Sequence, residues 1–390
     1  MHWSNIIGQE KVIELLKNSV AAERVAHAYL FHGIDGVGKL ATALALARVL
    51  QCTGCHDDAS CQSCQWALKF RHPDIQVMMP QPSDADPEDV AERLALLSQD
   101  EYAIADFIRA PSLNRKNAPK SLKQPFYSIE RINLELRNKM IMRPQQGRYR
   151  IAIILDIHTI NEQAANAFLK LLEEPGPDTV FITLTRRKNL LLPTILSRCQ
   201  HISFDRLAID VIAQALQERK NIDAHLAATV ANISNGSYSR AVELAENEDL
   251  RYDRERILDF LRLAFTQKIG PKMALVEELN QAGRNRIKNL LELLLGWMRD
   301  VSLYRTVGEN APIVNQDKQV EIAKFCGNLE NADLDAMIRL IEEARLLTES
   351  NVNTTLLLIN LSSNLGQAMR GPHSGMLFKS LTTPQNDFQA

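Results

Sequence analysis

The sequence has no surplus of charge of either sign and no apolar run of membrane length. Forty-five lysines and arginines face 47 aspartates and glutamates, a formal net charge of -2. The chain as a whole therefore carries no electrostatic footprint for nucleic acid, and any attraction to DNA must come from a local patch or a larger assembly. No segment approaches the ~18 uncharged apolar residues needed to span a bilayer, so no membrane role is expected. Met1-His2-Trp3-Ser4-Asn5 offers neither a basic leader nor a cleavable apolar stretch, so the expected location is cytoplasmic. Wholesale disorder is excluded by 45% hydrophobic and 24% charged residues. Cysteine is sparse except in one place, since four of the six fall between positions 52 and 64. In a cytosolic chain that crowding favours a metal over disulfides. At 390 residues the chain exceeds one compact core, and two or three domains are expected.

What is present begins with Gly33-Ile34-Asp35-Gly36-Val37-Gly38-Lys39-Leu40, a phosphate-binding loop that is correct until its last residue. The pattern G-x-x-x-x-G-K closes with Ser or Thr because that hydroxyl ligates the magnesium of a bound nucleotide. Leu40 removes the ligand but not the cradle of backbone N–H groups at a helix N-terminus. Lys39 would reach the terminal phosphates, so Gly33, Gly36, Gly38 and Lys39 are the candidate contacts for ATP or ADP. The alternative is a loop kept only as a packing turn. Hydrolysis also requires acidic residues at the end of a neighbouring strand. After Ile151 to Leu155 only Asp156 stands there, followed by Ile157 and His158. Two independent defects point away from hydrolysis.

Cys52, Cys55, Cys61 and Cys64 form C-x2-C-x5-C-x2-C, two pairs of thiolates suited to tetrahedral zinc in a compact structural knuckle. Cys52 to His56 also matches the haem pattern C-x-x-C-H, which would leave the second pair unexplained. Cys199 and Cys326 stand alone and read as ordinary buried residues. Arg198, in Pro193-Thr194-Ile195-Leu196-Ser197-Arg198-Cys199, lies between a short helix and a strand. From there an arginine could reach a phosphate on a neighbouring subunit, although a solvated surface arginine is the commoner outcome. The histidines form no ligand spacing.

The organisation is α/β at first. A helix over 9–21, a strand at Ala28 to Phe31, a helix from Ala41 to Leu50, strands at Ile151 to Leu155 and Val180 to Leu184, and an Asn161-capped helix to Glu174 imply a parallel sheet ending near residue 205. The stretch 80–125 carries six prolines and reads as an insertion, with a helix from Pro87 to Ser98. Beyond 205 no strand is expected. Residues 206–250 read as a small helical unit broken at Gly236-Ser237, 251–370 as a helical domain, and 371–390 as a loose tail.

Taken in order, several strings resemble the bacterial clamp-loader family of AAA+ proteins. They are Ile7-Gly8-Gln9, His27 to Phe31 with the phosphate loop, and the cysteines followed by His72-Pro73-Asp74. Ala164-Ala165-Asn166-Ala167-Phe168-Leu169-Lys170-Leu171-Leu172-Glu173-Glu174-Pro175 and Leu192 to Cys199 are the most specific. Weaker echoes at Trp297-x-Arg299-Asp300 and Asn351-Val352-Asn353 extend the likeness to about residue 365. The resemblance implies an α/β P-loop (AAA+) domain with an embedded zinc module, then a helical lid and an all-α C-terminal collar that joins a ring. It implies that Arg198 acts in trans as an arginine finger, and that the four cysteines bind zinc. The implied partners are the gamma/tau-type motor and delta subunits of a DNA polymerase III clamp loader, with sliding clamp and primed DNA reached through the assembly. The implied role is a non-hydrolysing stator. An active P-loop ATPase and a zinc-dependent nucleic-acid-binding module are the alternatives. Where motor subunits carry an arginine three positions after Gly236, this chain has Ser239, with Arg240 next. The cysteine spacing also departs from the family's, with Cys55 standing in for one ligand.

Overall fold

The computed structural model describes residues 3–378 apart from 53, 55–60, 106, 108–123, 247–248, 282, 314, 316–317 and 349–351. The chain divides into two compact units, Met1–Glu243 and Leu244–Ala390. Among the described residues the first unit holds one five-stranded sheet in the order β2-β3-β4-β1-β5. Its strands are β1 (Ala28–His32), β2 (Ile75–Met78), β3 (Arg150–Ile154), β4 (Thr179–Thr185) and β5 (Gln200–Ser203), and every pairing is parallel. The strands β1, β3 and β4 are buried on both faces, apart from the half-buried His32 at the end of β1. They read as continuous apolar runs because helices cover both sides of a parallel sheet.

The helices of this part of the chain are α1 (Glu10–Ala21), α2 (Lys39–Gln51), α3 (Gln62–Leu68), α4 (Pro87–Gln99), α5 (Ile129–Arg131), α6 (Asn138–Met140), α7 (Glu162–Glu173) and α8 (Pro193–Leu196). Between α5 and α6 the chain is π-helical over Ile132–Arg137. The expected strands and helices are present, while β2 and α3 were not foreseen. Asn161 Oδ1 accepts from the Ala164 amide at 2.8 Å and so starts α7, as its side chain predicts. From α7, Phe168 enters the core and meets Phe181 of β4 edge-on, with ring centroids 5.6 Å apart. Burial of α2 is almost complete from Ala41 to Gln51, which makes the helix behind the phosphate loop part of the core.

The helical segment expected at 206–250 follows as α9 (Ile209–Lys220), α10 (Ala224–Ile233) and α11 (Tyr238–Glu246). Gly236, at φ +83°, makes the break between α10 and α11 at the expected place.

In the second unit every described element is helical: α12 (Asp249–Thr266), α13 (Ile269–Gln281), α14 (Arg284–Val307), α15 (Gln319–Asn328), α16 (Leu334–Leu347) and α17 (Thr354–Ala368), with a 3-10 turn at Gly308–Asn310. Asp300 is fully buried on α14 and accepts from Asn315, through the main-chain amide at 2.8 Å and the side-chain amide at 2.7 Å. Asn353 starts α17 by accepting from the Leu356 amide at 3.1 Å. Asp300 and Asn353 thus organise helices.

Candidate functional site

The loop Gly33 to Lys39 leaves the carboxyl end of β1 and enters α2, the position where open parallel sheets hold ligands. Gly38 caps α2 at φ +98° and Gly36 has φ +74°, both in the left-handed region that glycine adopts without strain. The glycines of the string therefore serve the turn from β1 into α2. Its lysine does not face outward. Lys39 Nζ donates to Gly33 O at 2.7 Å and Ile34 O at 2.5 Å, and lies 3.6 Å from Asp35 Oδ1. The side chain is 8% exposed, and burial pulls its pKa below the ordinary lysine value, against the opposing fields of Asp35 and Asp156. Asp35 is also held by Arg186, 3.1 Å away.

At position 40 the magnesium ligand is missing, and α2 supplies no substitute. Thr42, the nearest hydroxyl along the helix, donates to Gly38 O at 2.8 Å. Asp156 stands at the end of β3 in a left-handed conformation, φ 44°, within electrostatic reach of Lys39. Near it His158 Nδ1 lies 3.2 Å from Thr185 Oγ1. Burial, followed by Arg186 and Arg187, pushes the His158 pKa down to about 4, so the ring is neutral at neutral pH. The structure thus brings the loop, Lys39 and Asp156 together and adds His158, Thr185 and Arg186, which the sequence did not single out.

The start of α11 and the residues just beyond α4 approach the same loop. Tyr238 N donates to Gly36 O at 3.0 Å. A Cβ on Gly36 would stand 2.3 Å from Ser237 Oγ and 2.8 Å from Ser239 Cβ. Ser239, three positions after Gly236, donates through Oγ to Tyr102 O at 2.5 Å.

Arg198 sits apart from this loop, between α8 and β5. Its guanidinium is 36% exposed, donates to Glu173 Oε1 at 2.7 Å and reaches Thr194 O at 3.0 Å. Glu173 ends α7, so the two most specific strings of the sequence meet in one ion pair. The glutamate was legible as part of a string, but its contact with Arg198 was not.

Cys52, Cys61 and Cys64 bring their sulfurs within 4.8 Å of one another. Tetrahedral zinc at ~2.3 Å from each sulfur sets neighbouring sulfurs about 3.8 Å apart, so the trio fits such an ion with modest closure. The Cys64 amide donates to Cys61 Sγ at 3.5 Å, and Arg48 donates to Cys64 Sγ at 3.7 Å. The fourth expected ligand, Cys55, lies outside the described residues. Beside the trio, Ser63 Oγ donates to Gln51 O at 2.8 Å and lies 2.9 Å from His72 Nε2, while His72 Nδ1 accepts from the Asp74 amide at 3.1 Å. A neutral ring protonated at Nε2 satisfies every contact, so His72 links the cysteine module to β2 without serving as a ligand.

Comparison with known proteins agrees with this architecture. The family model described as DNA polymerase III, delta subunit matches residues 8–208, and a second model, for the C-terminal part of the delta polypeptide, matches 251–365. The delta' subunit of DNA polymerase III from Bacillus subtilis (strain 168) is 27% identical over 357 residues, covering 90% of this chain and 94% of that protein. The tau subunit from the same organism is 24% identical over 325 residues, covering 78% of this chain but only 50% of the relative. A gamma subunit-related protein from Thermotoga maritima covers 91% of this chain and 99% of its own at 18% identity and a TM-score of 0.43, a superposition too loose to add to the assignment. With more than half of its residues matched by the first model and most of its length alignable with a delta' subunit, the chain belongs to the DNA polymerase III delta-subunit family and is a homologue of delta'.

Proposed function

We propose that the chain is the non-hydrolysing stator of a DNA polymerase III clamp loader, assembling with gamma/tau-type motor subunits and a delta subunit. In this reading its collar joins the ring, and sliding clamp and primed DNA are met through the assembly. Its own loop performs no ATP hydrolysis. The carrying observation is Leu40, which stands at the loop position where a hydroxyl would ligate magnesium. The one hydroxyl of α2, Thr42, is engaged by Gly38 O, and the Lys39 ammonium is held by Gly33 O, Ile34 O and Asp35.

Arg198 serves a neighbour. Its pairing with Glu173 is partly exposed, and such pairs contribute only ~0.2–1 kcal/mol, so the guanidinium can leave Glu173 for a phosphate at low cost. Zinc held by Cys52, Cys55, Cys61 and Cys64 is structural in this reading and takes no part in nucleotide chemistry.

The test is a reconstituted loader carrying single substitutions in this chain. Arg198→Ala should lower clamp-dependent ATPase, by up to ~10³-fold or more if the finger acts at its strongest. Lys39→Ala should leave the rate within about twofold, since on this reading it stabilises no transition state. A larger loss from Lys39→Ala than from Arg198→Ala would remove the stator reading.

A further inference from the structure

Tyr102 belongs to the proline-rich insertion, just beyond α4. Its chain turns tightly there, with Ala103 N donating to Asp100 O and Tyr102 N donating to Asp100 Oδ1, each at 2.9 Å. The turn brings the side chain to the phosphate loop. A Cβ on Gly38 would stand 3.0 Å from Tyr102 Oη. The hydroxyl accepts from the Ile7 amide at 2.9 Å, and the ring packs edge-on against Tyr238 with centroids 5.2 Å apart. The Arg219 guanidinium lies 5.7 Å over the ring. Only 4% of the residue is exposed, and burial pushes its hydroxyl pKa well up, so it stays neutral.

We propose that Tyr102 is the built-in occupant of this loop's ligand position and excludes nucleotide from it. A nucleotide needs open backbone amides at the loop and at the start of the following helix. Here two segments from elsewhere in the chain crowd that face. Tyr102 of the insertion stands against Gly38, and Ser237 and Ser239 of the lid stand against Gly36. A tyrosine side chain shares with a purine a flat apolar ring and a hydrogen-bond acceptor on its rim, so walls suited to one accept the other. The main-chain carbonyl of Tyr102 holds Ser239 in turn, which ties lid and insertion into one closure.

The inference rests on the reading of this loop as non-catalytic and adds what fills it. Its test uses the full-length chain, with ADP and a fluorescent ADP analogue as probes, in wild type, Tyr102→Ala, Tyr102→Phe and Tyr102→Ala with Lys39→Ala. Wild type and Tyr102→Phe, which keeps the ring, should show no saturable binding below about 1 mM. Tyr102→Ala should bind at least ~tenfold tighter, and adding Lys39→Ala should abolish the gain. Micromolar binding by wild type overturns the proposal, as does a Tyr102→Ala chain that melts cooperatively yet binds no tighter than wild type. Should Tyr102→Ala not fold, hydrogen exchange decides. The Ile7 amide should exchange about tenfold faster in Tyr102→Phe than in wild type, because it loses its acceptor, and equal rates refute the contact. None of these readouts depends on Arg198, so ring ATPase tests the stator reading separately.

Discussion

At the scale of single residues, the strongest buried polar arrangement lies away from the phosphate loop. Asp74 is fully buried and accepts from the amides of Gln145 and Gln146 at 2.8 Å and Gly147 at 3.0 Å, with Arg150 3.2 Å away. Desolvation would raise its pKa, but the three amides and Arg150 outweigh it and hold the carboxyl below its ordinary range. Arg150 also donates to Pro73 O at 2.9 Å. Removing one partner of a buried ion pair strands the other, so Asp74→Ala should cost about 3–5 kcal/mol in denaturant-induced unfolding. Asp74→Asn should cost less, since the amide oxygen can still accept from the loop. The string His72-Pro73-Asp74 was visible in the sequence, but its meaning was not. A carboxylate aimed at three amides some seventy residues away leaves no local spacing to read. The same applies to Tyr102, an isolated aromatic in an insertion whose neighbours in space come from the first ten residues and the lid. Lys39 and Leu40 were legible because phosphate-loop chemistry is written in consecutive residues.

At the scale of elements, the cysteine module is the clearest case of local spacing reporting local structure. Cys61 starts α3 by accepting from the Cys64 amide, and the turn presents Cys61 and Cys64 together with Cys52 at the end of α2. Purified chain should carry about one zinc, and Cys64→Ala should release it. Cys199→Ala should leave the zinc in place, because burial pushes the Cys199 thiol up to about 11 and keeps it protonated. Metal analysis with hydrogen exchange over residues 61–68 checks both, and zinc retained in Cys64→Ala would sink the assignment. Other elements were readable in the sequence, notably α1 over 9–21 and α7 from its Asn161 cap. The strand β2 was missed because four residues, Ile75-Gln76-Val77-Met78, give too short an alternation and lie beside the proline-rich stretch. The π-helical turn at Ile132–Arg137 was missed for a different reason. Its buried residues, Ile132 and Leu136, keep the i, i+4 spacing of a helix, and only the hydrogen-bond pattern distinguishes it.

At the scale of the whole molecule, the two family matches, 8–208 and 251–365, fall one in each compact unit. Their response to acid should begin in the first. His158 has a folded pKa of about 4 against an ordinary 6.5, so protons bind the unfolded chain preferentially between these values. Its contribution is therefore complete above pH 6.5 and is lost as pH falls to about 4. Asp74 is depressed below 3.8, so its contribution is present above that value and disappears on further acidification. Hydrogen-exchange protection in β3 and β4 should decline between pH 6.5 and 4, and His158→Gln should flatten the decline. An unchanged slope in that variant would assign the acid sensitivity elsewhere.

The closeness of other chain segments to Gly36 and Gly38 has a consequence for motifs as a class of evidence. A side chain at either position would collide with Ser237 and Ser239 or crowd Tyr102, and both backbones are left-handed. Packing alone would therefore demand these glycines, even in a protein that never meets ATP. A phosphate-loop string can outlast its chemistry as an architectural joint. In such a chain the glycines describe how a strand turns into a helix.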